Sequence, residues 1–504
     1  MRGPTSRPSQ RIGAGQDGQV STEPDRPLDA PPAGTDAAGV VAHFRGPYAD
    51  GPPAAALEIH APRLDRFGLA EMKRMAVIGF VLWAAITRSV VTWIVRRRGR
   101  TARGAAAEGL VDGFEQLGPT FVKLGQLVAS SPSLFPPVLT EACARMLDEV
   151  RPFDPATVRR LMTEELGRPP GQVFKSFDDR PLSAASIAQV HAVVLPDGRD
   201  AVVKLQRPDI SDRMNTDLRI QYFLARKVLV RFEIARRANV VAMVEDLHAV
   251  TNQELNAALE ADRQTRFRDN IGAFGDNTMI TAPEVYWDYC GPHLICMERM
   301  SGVPMDQFDV LAERGVDGEL MLRRGIKVWI EAALAHGPFH GDVHAGNLWM
   351  LDDGRATYLD FGIMGELPTE WRSAMADILY TSMIDQDYAR VVRAYQRVGV
   401  MPPDVDPEVA GPAIAMVMEP MLTQGIGSVS LGEQLKSNME LAEQFGATIP
   451  RELMLTSKQL LYFERYSKVL APDYVMARDL FLLKNIFPDE VTAAAAERGM
   501  VLPD

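Results

Sequence analysis

The chain has 504 residues, 46% of them hydrophobic, and a net charge of −12 from 54 Lys and Arg against 66 Asp and Glu. Such a length has room for two or three domains, and the negative balance argues against a nucleic-acid partner, whose phosphates need a basic face. Cys143, Cys290 and Cys296 form no C-x-x-C pair and suggest a reducing compartment.

Residues 1–62 read as a disordered leader, crowded with Pro, Gly, Ala and Asp and showing no helical or strand period. It has no cationic start followed by an apolar stretch, so it is not a secretory signal. Asp17, Glu23, Asp25, Asp29 and Asp36 weaken a transit-peptide reading. Segment 63–104 holds Ala76 to Val95, which is mostly apolar, includes Trp83 and Trp93, and runs into Arg96-Arg97-Arg98. Twenty residues just cross a bilayer, but Arg88 falls inside, and a central Arg costs about 2.5–3.5 kcal/mol on insertion scales. Three readings stay open: a helix lying in the membrane interface, a single span, or a buried domain helix. In a span, the arginines would keep the C-terminal side cytoplasmic.

Segment 105–172 reads as a helical extension containing Lys123-Leu124-Gly125-Gln126. Lys123 and Gln126 are three apart and share a helix face, while Phe121, Leu124 and Leu127 face elsewhere. Taken alone, they are a solvated polar pair. From Phe174 the pattern changes to strands: Phe174 to Phe177, a turn at Asp178-Asp179-Arg180-Pro181, then Ser183-Ala184-Ala185-Ser186 leading into a strand through Val194. A turn at Pro196-Asp197-Gly198 precedes Ala201-Val202-Val203-Lys204. Lys204 stands where a V-A-I-K lysine meets nucleotide phosphates. The preceding loop carries alanines and serines where a protein kinase has G-x-G-x-x-G. Alanine resists positive φ, so this loop should be stiff.

His340-Gly341-Asp342-Val343-His344-Ala345-Gly346-Asn347 is followed by Asp360-Phe361-Gly362. Asp342 and Asn347 have the Asp-x-x-x-x-Asn spacing of a phosphoryl-transfer loop, and Asp360 heads a DFG triplet. Leu348 to Leu351, a turn at Asp352-Asp353-Gly354, and Ala356 to Leu359 read as a hairpin that returns Asp360 beside Asn347. One carboxylate and one amide carbonyl held together suit Mg2+, and Asp342 would orient an attacking hydroxyl or water and accept its proton. His340 and His344 at four-residue spacing raise a zinc alternative. It is opposed by Gly341, where a zincin has Glu, and by the loop-forming Gly346. Beyond the triplet, Trp371 to Met383, Tyr388 to Val398, Leu431 to Phe445 and Ser457 to Leu470 show helical periods. Met416, Met418 and Met421 read as core filler in preference to a soft binding face.

Ala184-Ala185-Ser186, Lys204 and the HGDVHAGN run resemble the UbiB/AarF/ADCK family of atypical kinases, whose distinguishing K-x-G-Q signature stands here at Lys123 to Gln126. The resemblance spans roughly residues 70 to 480. It implies an α+β, bilobal protein-kinase-like fold. A small mixed N-lobe with inserted helices would occupy 173–300, and a mostly helical C-lobe 301–504. The implied cofactors are ATP and Mg2+, with nucleotide contacts from Ala184, Ala185, Ser186, Lys204, Asn347 and Asp360, and metal ligands Asn347 and Asp360. Asp342, Lys204 and Glu260 would be catalytic, Glu260 as the ion-pair partner of Lys204. The K-x-G-Q helix would pack over the nucleotide cleft, with Lys123, Gln126 and Glu254 as a regulatory lid.

One position departs from the family. An E-x-D motif is expected six residues before the Lys204 partner, and Glu254-Leu255-Asn256 has an amide where the second acid should be. The implied activity is that of a kinase or ATPase supporting isoprenoid quinone or related lipid synthesis. Its place would be the cytoplasmic face of a bacterial plasma membrane, with membrane lipids, quinone precursors and a lipid-synthesis complex as partners. The alternative is a non-catalytic nucleotide-binding scaffold for such a complex. A protein kinase acting in trans is a weaker reading, because no A-P-E-type segment follows the DFG triplet. No C-terminal segment reaches twenty apolar residues, so the paired C-terminal membrane helices of some family members are not expected.

Overall fold

The computed structural model describes residues 44–96, 101–129, 135–147, 152–231, 239–344, 346–425, 428, 430–447 and 451–503. Leu69–Arg96 (α1), Ala102–Leu117 (α2), Pro119–Ala129 (α3) and Pro137–Cys143 (α4) build a helical layer beside the N-lobe. Ile78 and Ala85 of α1 are buried against α2. A Cβ on Gly109 of α2 would lie 2.7 Å from the Ile86 Cα, so only glycine lets the two backbones come this close. The opposite face of α1 leaves Phe80, Trp83, Val91 and Ile94 exposed at helical spacing. Pro155–Leu166 (α5) has Asp154 as N-cap, Pro155 at its first position and Gly167 at φ 71° after its end.

After the single turn Pro170–Val173 (α6), Ser176–Ala184 (β1), Ala188–Val194 (β2), Asp200–Gln206 (β3) and Leu294–Glu298 (β5) form an antiparallel sheet in the order β1-β2-β3-β5. The expected turn at Asp178 to Pro181 is instead the middle of β1. As the edge strand, β1 has a free side for a proline that lacks an N–H, and its pairing slips on both sides of Pro181. Ile210–Lys227 (α7) and Val240–Glu254 (α8) are inserted between β3 and Ala257–Ile271 (α9). Bidentate Arg74–Asp217 contacts of 2.8 and 3.0 Å and an Arg219–Glu71 contact of 2.8 Å fasten α1 to α7.

The expected disordered leader fails over its second part. Phe44 and Tyr48 are buried in the N-lobe core with Phe174, Val203 and Cys296, and Phe44 stacks on Tyr289 at 5.8 Å. Two well-placed aromatics anchor a Pro/Gly-rich segment whose average composition suggests none. Residues 1–43 lie outside the described residues.

The C-lobe is built on Gly318–Glu331 (α11), preceded by Phe308–Glu313 (α10) and followed by Thr369–Tyr380 (α12), Tyr388–Arg397 (α13), Pro407–Thr423 (α14), Leu431–Gln444 (α15), Arg451–Leu470 (α16) and Pro488–Glu497 (α17). Two small sheets sit against them. Ile280–Thr281 (β4), Ala356–Tyr358 (β9), Leu348–Leu351 (β8) and Gly302–Pro304 (β6) form one, and Phe339–His340 (β7) with Met364–Gly365 (β10) the other. Trp329, Phe339, Tyr358, Phe361 and Phe463 share the main core. Beneath it lies a buried ionic knot. Lys327 meets Glu331 at 2.7 Å, Asp276 at 3.1 Å and the Asn277 side-chain Oδ1 at 2.8 Å, while Asn485 donates to both carboxylates at 2.8 Å. Met418 packs as expected, but Met416 is 74% exposed and fills no core.

Candidate functional site

Lys204 lies in the middle of β3, opposite Val190 on one side and Ile295 on the other. Its Nζ reaches Glu260 of α9 at 2.6 Å and Asp360 at 2.9 Å. The β8–β9 hairpin forms where its alternating pattern places it, and the Leu359 N–H donates to the Asn347 carbonyl at 2.9 Å, holding the two ends of the hairpin together. That brings Asp360 back beside the catalytic-loop residues. Asn347 donates through Nδ2 to the Asp342 carbonyl at 3.1 Å, leaving its own side-chain oxygen as an acceptor.

His340 is fully buried beneath the loop. Its Nε2 contacts the Asp360 carbonyl at 2.5 Å and its Nδ1 accepts from the Asp342 N–H at 3.1 Å. Those partners require the neutral ring with the proton on Nε2. Burial lowers the His340 pKa below its usual value and favours the same form, against the opposing pull of Asp342 and Asp360. The zinc alternative therefore fails on geometry, since both nitrogens of His340 serve the backbone. His344 accepts from the Gly346 N–H at 3.0 Å and faces Asp342 at 3.5 Å. Among the described residues, no group of three or more His, Cys, Asp or Glu is placed to hold a metal.

Burial alone would lower the Lys204 pKa, but the charges of Asp360 and Glu260 and their hydrogen bonds raise it. Glu260 is raised mainly by burial, with Lys204 opposing. Asp360 is held well below the usual carboxylate range: burial raises it, and the Lys204 charge and hydrogen bond, aided by the Gly362 N–H, overcome that. Asp360 sits deep among protein atoms, yet 45% of its side chain is exposed. An ionised carboxylate and the free amide oxygen of Asn347 are hard oxygen donors. They fit Mg2+, which takes one or two protein ligands and completes its shell with phosphate and water.

The K-x-G-Q residues divide. Lys123 forms a short ion pair with Glu254, and Glu254 lies against the DFG glycine, its Cγ 3.5 Å from where a Gly362 Cβ would stand. Gln126 donates to the Met146 carbonyl at 3.0 Å. At Gly125 the Met146 side chain packs close, its sulfur 2.3 Å from where a Cβ would stand. Ala184 is buried and pairs with Gln189, and the Ala185 N–H donates to the Ala188 carbonyl at 2.9 Å. Ser186 is half-buried in the same tight turn.

Several residues that shape the site escaped sequence reasoning. The Arg207 guanidinium holds the Ala185 carbonyl at 3.0 and 3.2 Å, pinning the alanine loop. Gln459 and Tyr466 of α16 grip the backbone of the loop that carries Asp342 and Asn347. Gln459 donates to the Gly341 carbonyl at 2.5 Å and accepts from the Val343 N–H at 3.2 Å, and the Tyr466 hydroxyl donates to the Val343 carbonyl at 2.9 Å. Their partners lie more than a hundred residues away, so no local pattern marks them.

Residues 145–395 match the ABC1 atypical kinase-like domain and residues 414–475 the UbiB helical domain. An uncharacterized protein of Mycobacterium tuberculosis strain H37Rv is 35% identical over 83% of this chain and 85% of its own length. A probable protein kinase UbiB of Erwinia tasmaniensis is 32% identical over 77% of this chain and 71% of its own. A solved structure of Mycobacterium tuberculosis Rv3197 with erythromycin aligns over 73% of this chain and 92% of its own, at 22% identity and a TM-score of 0.47.

Proposed function

The chain belongs to the ABC1 atypical kinase-like family, and on that premise we propose that it is an ATP- and Mg2+-dependent phosphotransferase or ATPase of the UbiB type, acting at a membrane. The observation that carries this reading is the meeting of Lys204, Glu260 and Asp360 in one ion-paired cluster, with Asp360 returned beside Asn347 by the hairpin. Lys204 has a fixed partner in Glu260 and an exchangeable one in Asp360. A nucleotide phosphate oxygen would take the place of Asp360 at Lys204, which would leave Asp360 to serve as a metal ligand. When bound, Mg2+ supplies neutralisation of the phosphate charge, held by Asp360 and Asn347. Asp342 orients the attacking hydroxyl or water and takes its proton, while neutral His340 fixes the loop backbone from below.

The proposed role, taken from the family resemblance, is support of isoprenoid quinone or related lipid synthesis at the membrane. The outer face of α1 supports the membrane part: Phe80, Trp83, Val91 and Ile94 are exposed, and Arg88 lies among them on a helix whose other face is committed to α2. Among the described residues, Leu69–Val95 is the one helix long and apolar enough to span. Its ion-paired anchors, buried Glu71 and half-buried Arg74, favour the interfacial position over a span. Trp83→Asp with Phe80→Asp should release the protein from anionic liposomes in a pelleting assay with its melting temperature little changed; undiminished pelleting would exclude this face.

Asp360→Asn should abolish the Mg2+-ATP-dependent rise in melting temperature, because a ligand bound only by the native state raises it. Asp342→Asn should keep that rise and lose turnover by about 10²- to 10⁴-fold, the range for a general base. An unchanged thermal shift in Asp360→Asn would refute the site. The pinned alanine loop favours the second reading, a nucleotide-binding scaffold. Wild-type turnover no faster than that of Asp342→Asn, with nucleotide still bound, would select it.

A further inference from the structure

Asn256 stands at the bend between α8 and α9, and its side chain works in two directions. Its Oδ1 caps α9 by accepting from the Leu259 N–H at 2.9 Å. Its Nδ2 donates to the Ala56 carbonyl at 2.9 Å and the Glu58 carbonyl at 3.2 Å. Both acceptors belong to the N-terminal arm, residues 44–58, which buries Phe44 and Tyr48 in the N-lobe core. The Gly46 N–H also donates to the Asp288 carbonyl at 2.8 Å. An aspartate could cap α9 equally well, but it has no hydrogen to donate and would turn a charged oxygen towards two carbonyl oxygens. The uncharged residue at the E-x-D position is thus the one that can cap the helix and hold the arm at the same time.

Its neighbours give the contact a consequence. Glu254, two residues before, pairs with Lys123, and Glu260, four residues after, pairs with Lys204. We propose that Asn256 is a positioning residue: it latches the arm to the start of α9 and so sets Glu254 and Glu260 for the nucleotide cleft. The arm is then a regulator of nucleotide affinity in cis, and its detachment loosens the grip of Glu260 on Lys204. The regulatory half of this proposal rests on the cleft binding nucleotide; the latch itself does not.

The test uses the full chain with Asn256→Asp, which keeps the cap and removes the donors, and Tyr48→Ala, which removes one of the arm's two buried aromatic anchors. Amide hydrogen exchange of residues 46–56 without nucleotide reads the latch. It should quicken on the order of tenfold in both variants, the scale of one or two net hydrogen bonds. Steady-state ATP turnover reads the positioning: KM for ATP should rise about threefold to tenfold while kcat stays within about twofold, a split that general destabilisation would not give. Unchanged exchange in Asn256→Asp overturns the latch. Faster exchange with an unchanged KM overturns the positioning role. A wild-type protein that binds no nucleotide refutes the proposed function instead, and the exchange result still decides the latch.

Discussion

Lys204 in the cleft and Lys327 in the helical lobe each bridge two carboxylates at between 2.6 and 3.1 Å, in very different surroundings. The Lys327 side chain is 0% exposed, Asn277 donates to Glu331, and Asn485, just before α17, donates to both Asp276 and Glu331. Lys204 is 12% exposed, and one of its acids, Asp360, opens to solvent. The same charge pattern is thus a rivet in one place and, on the proposed function, an exchangeable contact in the other. Solvent access differs by degree: the Asp360 side chain is 45% exposed, against 20% for Asp276 and 3% for Glu331.

Removing the rivet should be the larger insult to stability. Lys327→Met leaves Glu331 buried without its cation, and breaking one side of a buried pair costs about 3–5 kcal/mol. That should appear as a lower urea midpoint. Lys204→Met should cost less than about 2 kcal/mol, because Asp360 can rehydrate and burial already favours protonated Glu260, yet it should lose nucleotide binding. Equal midpoint shifts in the two variants would erase the distinction.

A pH titration sharpens it further. Burial keeps His340 neutral in the fold, while the unfolded ring takes a proton near its usual value of 6.5. Below that value the unfolded state binds more protons, so stability present above pH 6.5 is lost as pH falls, by at most about 1.4 kcal/mol per pH unit for one proton. His191 in β2, also lowered by burial, adds with the same sign. His340→Gln should flatten the dependence of the urea midpoint between pH 6.5 and 5 by close to one proton. A slope equal to that of wild type would mean the ring is not held neutral.

The smallest expected effect belongs to the lid. Lys123→Ala and Glu254→Ala should each change nucleotide turnover or ATP/ADP preference. In the double variant their effects should fall short of additive by about 0.5 to 1 kcal/mol, as for residues in direct contact. Simple additivity would return Lys123 to an ordinary helix face. Gln126, turned to the Met146 carbonyl, should contribute to the seating of α3 and little to that coupling.

The elements that could be read in advance are those whose signals are local. Strands β2 and β3 and the β8–β9 hairpin follow from alternation bounded by Pro-Asp-Gly and Asp-Asp-Gly, and the spacing of Asp342, Asn347 and Asp360 is itself local. Asp178 to Pro181 has turn chemistry but lies in an edge strand, where tertiary pairing overrides propensity. Phe44 and Tyr48 were invisible inside a Pro/Gly-rich stretch, since composition averages over the two residues that matter. Asn256 read only as a missing acid, because its use depends on carbonyls about two hundred residues earlier. Arg207, Gln459 and Tyr466 share that difficulty: each serves a backbone group of another element, and backbone groups carry no sequence.

The grip of α16 on the catalytic loop also sets an order of events. Gln459 and Tyr466 reach back across 116 to 123 residues to Gly341 and Val343. Closing so long a loop is slow, since its entropy is lost before the contact is gained. A ribosome-bound chain that has already made Asp342, Asn347 and Asp360 still lacks the clamp that shapes the loop between them. The loop that carries Asp342 and Asn347 therefore gains its clamp late, from a helix outside the signature motifs. A nascent or C-terminally clipped chain would lack that clamp with every signature motif intact.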